Sequence, residues 1–598
     1  MREEKLFSNL GEICTPKANI SPVREKFKWN SLPYETAKVT GSMLVSLQDG
    51  RPEDVSFDPE LTGWYRIFVC LGAYPGVSVN VSLSGDDTYT TMHPSAHSGY
   101  GYHAVEESFW TCADMTGQTF RVSKRKHGTD YNAMLAWVRF VPMDDAEVAA
   151  WRAEDERTDT KRIYATDDMH NRLYMGCCET KEDWRALVWH YRHSDVEWLS
   201  MEDVLTFVDS DCFTGNTDNF VFCRQGDRFV QENRPRYNED MLRDLVSYGH
   251  GQGLKMCASL RMGAWGMEFP YDQIYFECRF TNSHPELRCV DRDGTPIDAM
   301  SYAYPEVQDF MINQLVWLAG LGFDAVEMIY NRGIPYVLFE EPVLQRFRAE
   351  YGFDPRELPL DDERLNKVHR EIMTGFVRKL RAALDEARGD KRIGLHARVL
   401  FSLYDSAYVG LDVEEWARQG LITGVISYPQ RFRELLDGDV WQDGDEKRID
   451  LRKYAEYVRT SPTRPTSRQG DFNFIEPVRD SRGVLRGPAS QQERVAELMA
   501  LEEKYGVRVY IEIMPRYMST EAYRDRALEL YRAGCRGISL WDTYDRVPVR
   551  AEWSMVRRLG HIEELPGYDS GEGEWYTATR LLKIGGRDVS RYIPAWGG

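Results

Sequence analysis

The chain has 598 residues, with 95 acidic against 75 basic side chains and a formal net charge of −20. That balance excludes the basic footprint that nucleic acid or an anionic membrane surface requires, and no run of about 18 apolar residues is present to span a bilayer. The 11 cysteines are an odd number, with an adjacent Cys177 and Cys178 and no Cys-x-x-Cys pair. They point to reduced thiols in a cytoplasmic protein rather than to a disulfide framework or a zinc site.

From about residue 40 to 145 the apolar pattern has period two. Trp64–Leu71, Val77–Leu83 and Ala133–Val141 read as strands, with turns such as Ser84–Asp87 between them. No long helical pattern interrupts them, so residues 1–145 are expected to form a β-sandwich. The acidic, helix-prone residues 146–160 follow as a linker.

From about residue 160 short β-branched or aromatic runs alternate with amphipathic helical stretches. The runs are Arg162–Asp167, Val196–Met201, Lys255–Arg261, Ala325–Tyr330, Arg392–Val399, Gly424–Tyr428, Val507–Ile513 and Gly537–Trp541. Helical periodicity covers Lys181–Tyr191, Glu239–Gly249, Pro305–Leu321, Lys367–Ala387, Gln491–Lys504 and Thr520–Ala533. Eight alternations predict a (β/α)8 TIM barrel over 161–560, the fold class being α/β, with long loops after the second and third strands. An open doubly wound sheet is the rival, but no phosphate-binding glycine fingerprint opens the first βα turn. The glycines of Gly249–Gly253 fall at a helix C-terminus, where they cap. Residues 561–598 read as a C-terminal β extension of one or two strands.

Side chains at the C-terminal ends of barrel strands point into the mouth where such barrels do chemistry. Glu327 stands among Val326, Met328 and Ile329, and Glu512 between Ile511 and Ile513. A carboxylate inside an apolar strand costs several kcal/mol unless it is paired or used. One reading is a buried ion pair with a barrel arginine. The other is glycoside hydrolysis, which needs one carboxylic acid beside the leaving oxygen and a second carboxylate as nucleophile or base; strands four and seven face each other across the barrel. On that reading Glu327 is the general acid/base and Glu512 the nucleophile, about 5–5.5 Å apart if the enzyme is retaining.

Asp167 and Asp168 after strand one, Glu202 after strand two and Asp542 after strand eight are candidates to grip hydroxyls, or else loop acids and caps. Arg261, Arg332, His396, Arg398 and Arg516 crowd the same edge. They balance the acids, or one or two bind a substrate carboxylate bidentately. Trp265, Tyr330, Tyr428 and Trp541 lie at strand ends, Trp265 in a glycine-rich loop that suits a stacking platform; aromatic residues make up 12% of the chain. No HExxH, Cys-x-x-Cys or GxSxG pattern occurs, so neither metal nor cofactor is expected.

Ala165–Asp168, Ala258–Met262, Tyr304–Val307, Phe323–Glu327 followed by Arg332, and Gly410–Trp416 occur in order at consistent strand positions. On these blocks the stretch from about 160 to 545 resembles the glycosyl-hydrolase-like 10 group of bacterial TIM barrels, distant relatives of amylase-type and clan A glycosidases. The fourth strand of such sequences usually reads Asp-Gly-x-Glu-x-Asp, which maps onto Asp324 to Ile329. Isoleucine replaces the last acid here, so an amylase-like assignment does not carry over. Glu327 and Glu512 match the clan A placement on strands four and seven, although Val326 stands where clan A has Asn. The sandwich resembles accessory carbohydrate-recognition modules. The resemblance implies a glycoside hydrolase, retaining on the strand-four and strand-seven pairing; the long βα loops and the N-terminal sandwich fit exo action on oligosaccharides or glycosides. A lyase or isomerase acting on an acidic sugar and a catalytically silent sugar-binding barrel are the alternatives, and a homo-oligomer stays open.

Overall fold

The structure, a computed structural model, describes the chain from residue 2 except for 74–75, 95–102, 125–131, 170–179, 203–212, 215–238, 264, 266–276, 332, 360, 390, 430–440, 443–447, 450–477, 481, 514–519, 542–549, 569–575 and 591–598.

The N-terminal region folds as two antiparallel sheets. The smaller has the order Val55–Phe57, Phe120–Ser123, Val79–Leu83, Thr90–Met92. The larger runs through Trp29–Thr36, Thr40–Ser46, Ala133–Pro142, Trp64–Gly72 and Ala104–Asp114, and next to Ala104–Asp114 it takes in the C-terminal strand Tyr576–Ile584. That last strand also pairs with Trp29–Thr36, so six strands close into a ring. The expected plain sandwich ending at 145 is thus corrected: the strand read as a C-terminal extension completes the N-terminal sheet. Period-two alternation supplies the reason, because both faces of these strands are apolar. Leu44, Val69 and Leu135 pack toward the smaller sheet. Their neighbours Met43, Val45, Cys70 and Ala136 pack inside the ring with Leu581 of the closing strand. Closure also removes two open sheet edges.

The helix Asp145–Asp155 starts at a capping box, with Asp144 accepting from Ala146 and Glu147 N–H and Glu147 returning to the Asp144 N–H. Its end docks on the barrel floor, where Asp155 meets His193 Nδ1 at 2.6 Å and Glu154 contacts His561. Arg557 lies between the rings of Phe109 and Trp151, 5.5 Å from each. The expected linker is therefore a wedge between two cores.

The eight expected runs form a closed parallel barrel: Ile163–Asp168, Val196–Glu202, Lys255–Arg261, Ala325–Ile329, Gly394–Val399, Gly424–Ser427, Arg508–Glu512 and Ile538–Trp541. Outward residues such as Ala165, Leu199, Met256, Val326, Leu395 and Val509 join the helices in one apolar core. The longest helix, Glu363–Arg388, begins one turn before the expected start, at the cap where Asp362 accepts from the Arg364 N–H. Gly253, at φ +78°, ends the turn after helix Glu239–Gly251, as a cap and not a phosphate loop. Cys14, Cys70, Cys112, Cys257, Cys289 and Cys535 are buried free thiols. Among the described residues no helix is long and apolar enough to cross a membrane.

Candidate active site

The strand register sorts the inward side chains by depth. Successive partners round the barrel run Asp168, Glu202, Ser259, Glu327, His396, Gly424 and Arg508. Because the strands tilt, this line sinks by about one residue per strand toward the N-terminal floor. Layers therefore alternate between odd and even strands. Asp168 and Arg261 stand at the mouth. Glu202, Ile329, Tyr428 and Trp541 form the next layer, and the last three are one buried apolar cluster. Thr166, Ser259, Arg398 and Glu512 lie beneath, followed by Ser200, Glu327, Ile426 and Ser539. Tyr164, Cys257, His396 and Tyr510 fill the layer toward the floor. There Gly424 is required, since a Cβ would sit 2.6 Å from the His396 ring.

Glu327 and Glu512 do converge, and what they converge on is Arg398. Its Nε donates to Glu327 Oε1 at 2.7 Å and its Nη1 to Glu512 Oε2 at 3.1 Å, with all three side chains at 0% exposure. Glu327 Oε2 accepts from Ser200 at 2.6 Å and Tyr164 at 2.9 Å. Glu512 Oε2 accepts from Ser539 at 2.6 Å, and Arg398 Nη2 donates to Thr166 at 2.5 Å. The Trp541 ring covers the guanidinium at 4.5 Å. Burial works against the charge of Arg398, yet Glu327 and Glu512 hold its pKa above the ordinary arginine value. In this arrangement the two glutamates are an internal ion triad one or two layers beneath the mouth, the paired reading of the buried carboxylates.

Several expected sugar contacts are corrected by direction. Asp167 has the outward parity of Ile163 and Ala165, and it is 1% exposed behind the barrel wall. Trp265 is a core residue, 5.9 Å from Tyr302 and 6.1 Å from Phe310, so its glycine-rich setting does not expose it. Tyr330 packs outward against Tyr336 and Trp416 at 5.1 and 5.7 Å. His396 lies deep in the barrel, with its Nδ1 3.2 Å from the Tyr164 hydroxyl and its ring 4.6 Å from Trp198. Burial pushes its pKa down to about 4, against a partial lift from Glu327 and Glu197. Arg398 is committed to the two glutamates and cannot also fork onto a substrate carboxylate. Tyr428 and Trp541 meet edge-to-face at 5.2 Å and form the floor of the mouth. Arg332, Arg516 and Asp542 lie outside the described residues.

What remains toward the mouth is a charged trio of inward side chains from three adjacent strands, Glu202 fully buried and Asp168 and Arg261 slightly exposed. Arg261 Nε donates to Glu202 Oε1 at 2.5 Å and its Nη2 to Asp168 Oδ2 at 3.3 Å. Asp168 and Glu202 are register partners, so about 4.8 Å separates their strands. The sequence offers Asp168 and Glu202 as hydroxyl-gripping acids and Arg261 as one of a crowded basic edge, but not as one trio, and it passes over Thr166, Ser200 and Ser539, whose hydroxyls meet the buried triad, and Ser259, which meets Ser200. The signal for them was parity: each lies at an inward position on its strand. The grouping Glu154, His561 and Glu564 has metal-ligand spacing, but it lies on the barrel floor with its acids already paired to Arg157 and Arg558.

No family model matches the sequence, and no curated protein matches it. Solved structures that match the chain include glycoside hydrolases. The PgaB (BpsB) glycoside hydrolase domain from Bordetella bronchiseptica is 12% identical over 64% of this chain and 93% of that one, with a TM-score of 0.37. The α-galactosidase TtGalA from Thermus thermophilus is 10% identical over 88% and 90%, with a TM-score of 0.32. The maltogenic α-amylase AmyB from Thermotoga neapolitana is 11% identical over 67% and 76%, with a TM-score of 0.31. Likeness at this level fixes neither an activity nor a residue, so the chemistry rests on the geometry above.

Proposed function

We propose that the chain is a glycoside hydrolase acting on oligosaccharides or glycosides at the C-terminal mouth of the barrel. The observation that carries the reading is the Asp168–Glu202 pair, two neighbouring strand-end carboxylates sharing Arg261, with Glu202 in the layer of Tyr428 and Trp541 and Asp168 one layer above it. Both acids sit at the mouth ends of adjacent strands; a carboxyl separation of roughly 5–5.5 Å would make the pair retaining. Glu202, in the shorter contact with Arg261, takes the part of nucleophile. Asp168, nearer the rim and more exposed, takes the part of acid/base. Exo action stays within this proposal, resting on the long segments after strands two and three.

The assignment of Glu327 as acid/base and Glu512 as nucleophile is the second reading, favoured by their meeting on one guanidinium from opposite strands. A turnover screen on aryl-glycosides and oligosaccharides separates the two. Asp168→Asn and Glu202→Gln should each lower kcat by about 10²–10⁴ while the chain stays folded by circular dichroism. Loss confined to Glu327→Gln and Glu512→Gln, with the fold intact, would transfer the roles to the buried pair. Near-native turnover in all four variants sinks both. Proton abstraction from an acidic sugar by His396 loses support, since that ring is sealed in the interior.

A further inference from the structure

The N-terminal region carries a second polar cleft, far in sequence from every barrel strand. It is an open cleft of about 540 Å³ whose walls, among the described residues, include Arg24, Lys26 and Arg51 against one carboxylate, Asp49, together with the amides of Gln48 and Asn132. On a chain of net charge −20 this is a local reversal of sign. Arg24 reaches Asp49 only at 3.9 Å, and Lys26 has no carboxylate partner among the described residues. Two apolar side chains flank these cations in sequence: Val23 at 64% and Phe27 at 67% exposure stand out of the surface. Lys26 Nζ lies 5.8 Å from the Phe27 ring.

The rim is rigid. Lys124, 4% exposed, ties down the turn after Thr40–Ser46 by donating to the carbonyls of Leu47, Gln48 and Gly50. Asn132 Oδ1 accepts the Gln48 N–H at 3.1 Å, and Arg51 Nη1 donates to the Gln48 and Gly50 carbonyls at 3.2 and 2.9 Å. The Arg51 N–H donates to the Lys26 carbonyl at 2.6 Å, locking the cationic segment to the turn. A preorganised rim lowers the ordering cost of binding.

The geometry points to a binding site for an anionic oligosaccharide, one whose sugar carboxylates meet Arg24, Lys26 and Arg51 while a ring lies against Phe27. Cations alone would suit any anion. The two amides add donors and acceptors for hydroxyls, and an exposed aromatic ring offers the apolar face that a pyranoside stacks on. This site does not depend on the barrel reading, and it would hold a charged glycan on the same chain as the barrel.

The test is calorimetry on the full chain carrying Glu202→Gln, so that turnover does not consume the probe. An oligogalacturonate is titrated, then its methyl ester. The charged oligomer should bind saturably and weaken with added salt. Its affinity should fall about tenfold in Phe27→Ala and at least as much in Arg24→Ala/Lys26→Ala, all exposed positions that leave the fold intact. The ester should not bind. Equal affinity for the ester, no saturable binding, or binding unmoved by both cleft variants overturns the proposal. So does sedimentation with phosphatidylserine vesicles in the absence of oligogalacturonate binding, which would make this a membrane-facing surface.

Discussion

The two faces of the barrel wall are built from the same strands and obey opposite rules. On the fourth and fifth strands Val326, Met328, Leu395 and Ala397 point outward into the apolar core beneath the helices. The residues between them, Glu327, His396 and Arg398, point inward and are as deeply buried. Packed barrel interiors are usually filled by branched aliphatic side chains. Here the middle layers are polar, and every oxygen of Glu327 is met by a donor: Arg398, Ser200 or Tyr164. The outer face gains from each methylene it hides, so its losses come piecemeal. The inner face gains only while its set of charges is complete, because a half-satisfied buried network is worse than none.

The largest expected effect follows from that completeness. Arg398→Met leaves Glu327 and Glu512 buried without their shared cation and should cost about 3–5 kcal/mol, seen as a lower urea midpoint of the full chain. Removing all three charges in Glu327→Gln/Arg398→Met/Glu512→Gln should restore much of the loss. Met328→Ala on the outer face should cost about 2–5 kcal/mol, and no second substitution of a neighbour's charge should recover it. If the triple variant is no more stable than Arg398→Met, the inner face is not an interdependent set.

The next effect is set by pH. Burial lowers the pKa of His396 to about 4, and that of His369, on the helix Glu363–Arg388 outside the wall, also to about 4, from an ordinary 6.5. Between those values the unfolded chain takes up a proton that the folded chain refuses, so stability rises with pH over the window and is lost as pH falls through it. The melting temperature should therefore drop as pH goes from 6.5 toward 4, and His396→Gln should flatten the slope. His561 has the opposite sign. Burial opposes its charge, but Asp195 at Nδ1 and Glu154 at Nε2 raise its pKa, so what it contributes is kept in acid and lost as pH rises. An unchanged slope in His396→Gln would show that its ring is open to protonation in the fold.

Strand count and barrel closure were legible because each strand pairs a short apolar run with a helix of period 3.6, and both signals are local. Parity was legible too: Glu327 reads as inward once Val326 and Met328 are assigned outward. Depth was not. Whether an inward carboxylate faces the mouth or lies two layers below depends on shear, a property of the closed ring that no single strand carries. Trp265 failed for a related reason. Glycines around it suggested exposure, but Tyr302 and Phe310, which bury it, are 37 and 45 residues away in the chain. The ring-closing strand Tyr576–Ile584 pairs with Trp29–Thr36 across most of the sequence, a contact that periodicity cannot see.

The smallest effect sharpens the contrast between buried and exposed charge. Arg346 and Glu371 meet at 2.5 Å on the helical surface, closer than either contact of the buried triad. Their side chains are 45% and 38% exposed, so water screens the attraction and solvates each charge once its partner is gone. Arg346→Ala should move stability by no more than about 0.5 kcal/mol, measured as the shift in urea midpoint against the unmodified chain. A loss approaching that of Arg398→Met would mean that distance and not desolvation governs ion pairs in this protein. The expected gulf between the two variants follows because the surface arginine leaves behind a carboxylate that water can stabilise, and the interior one does not.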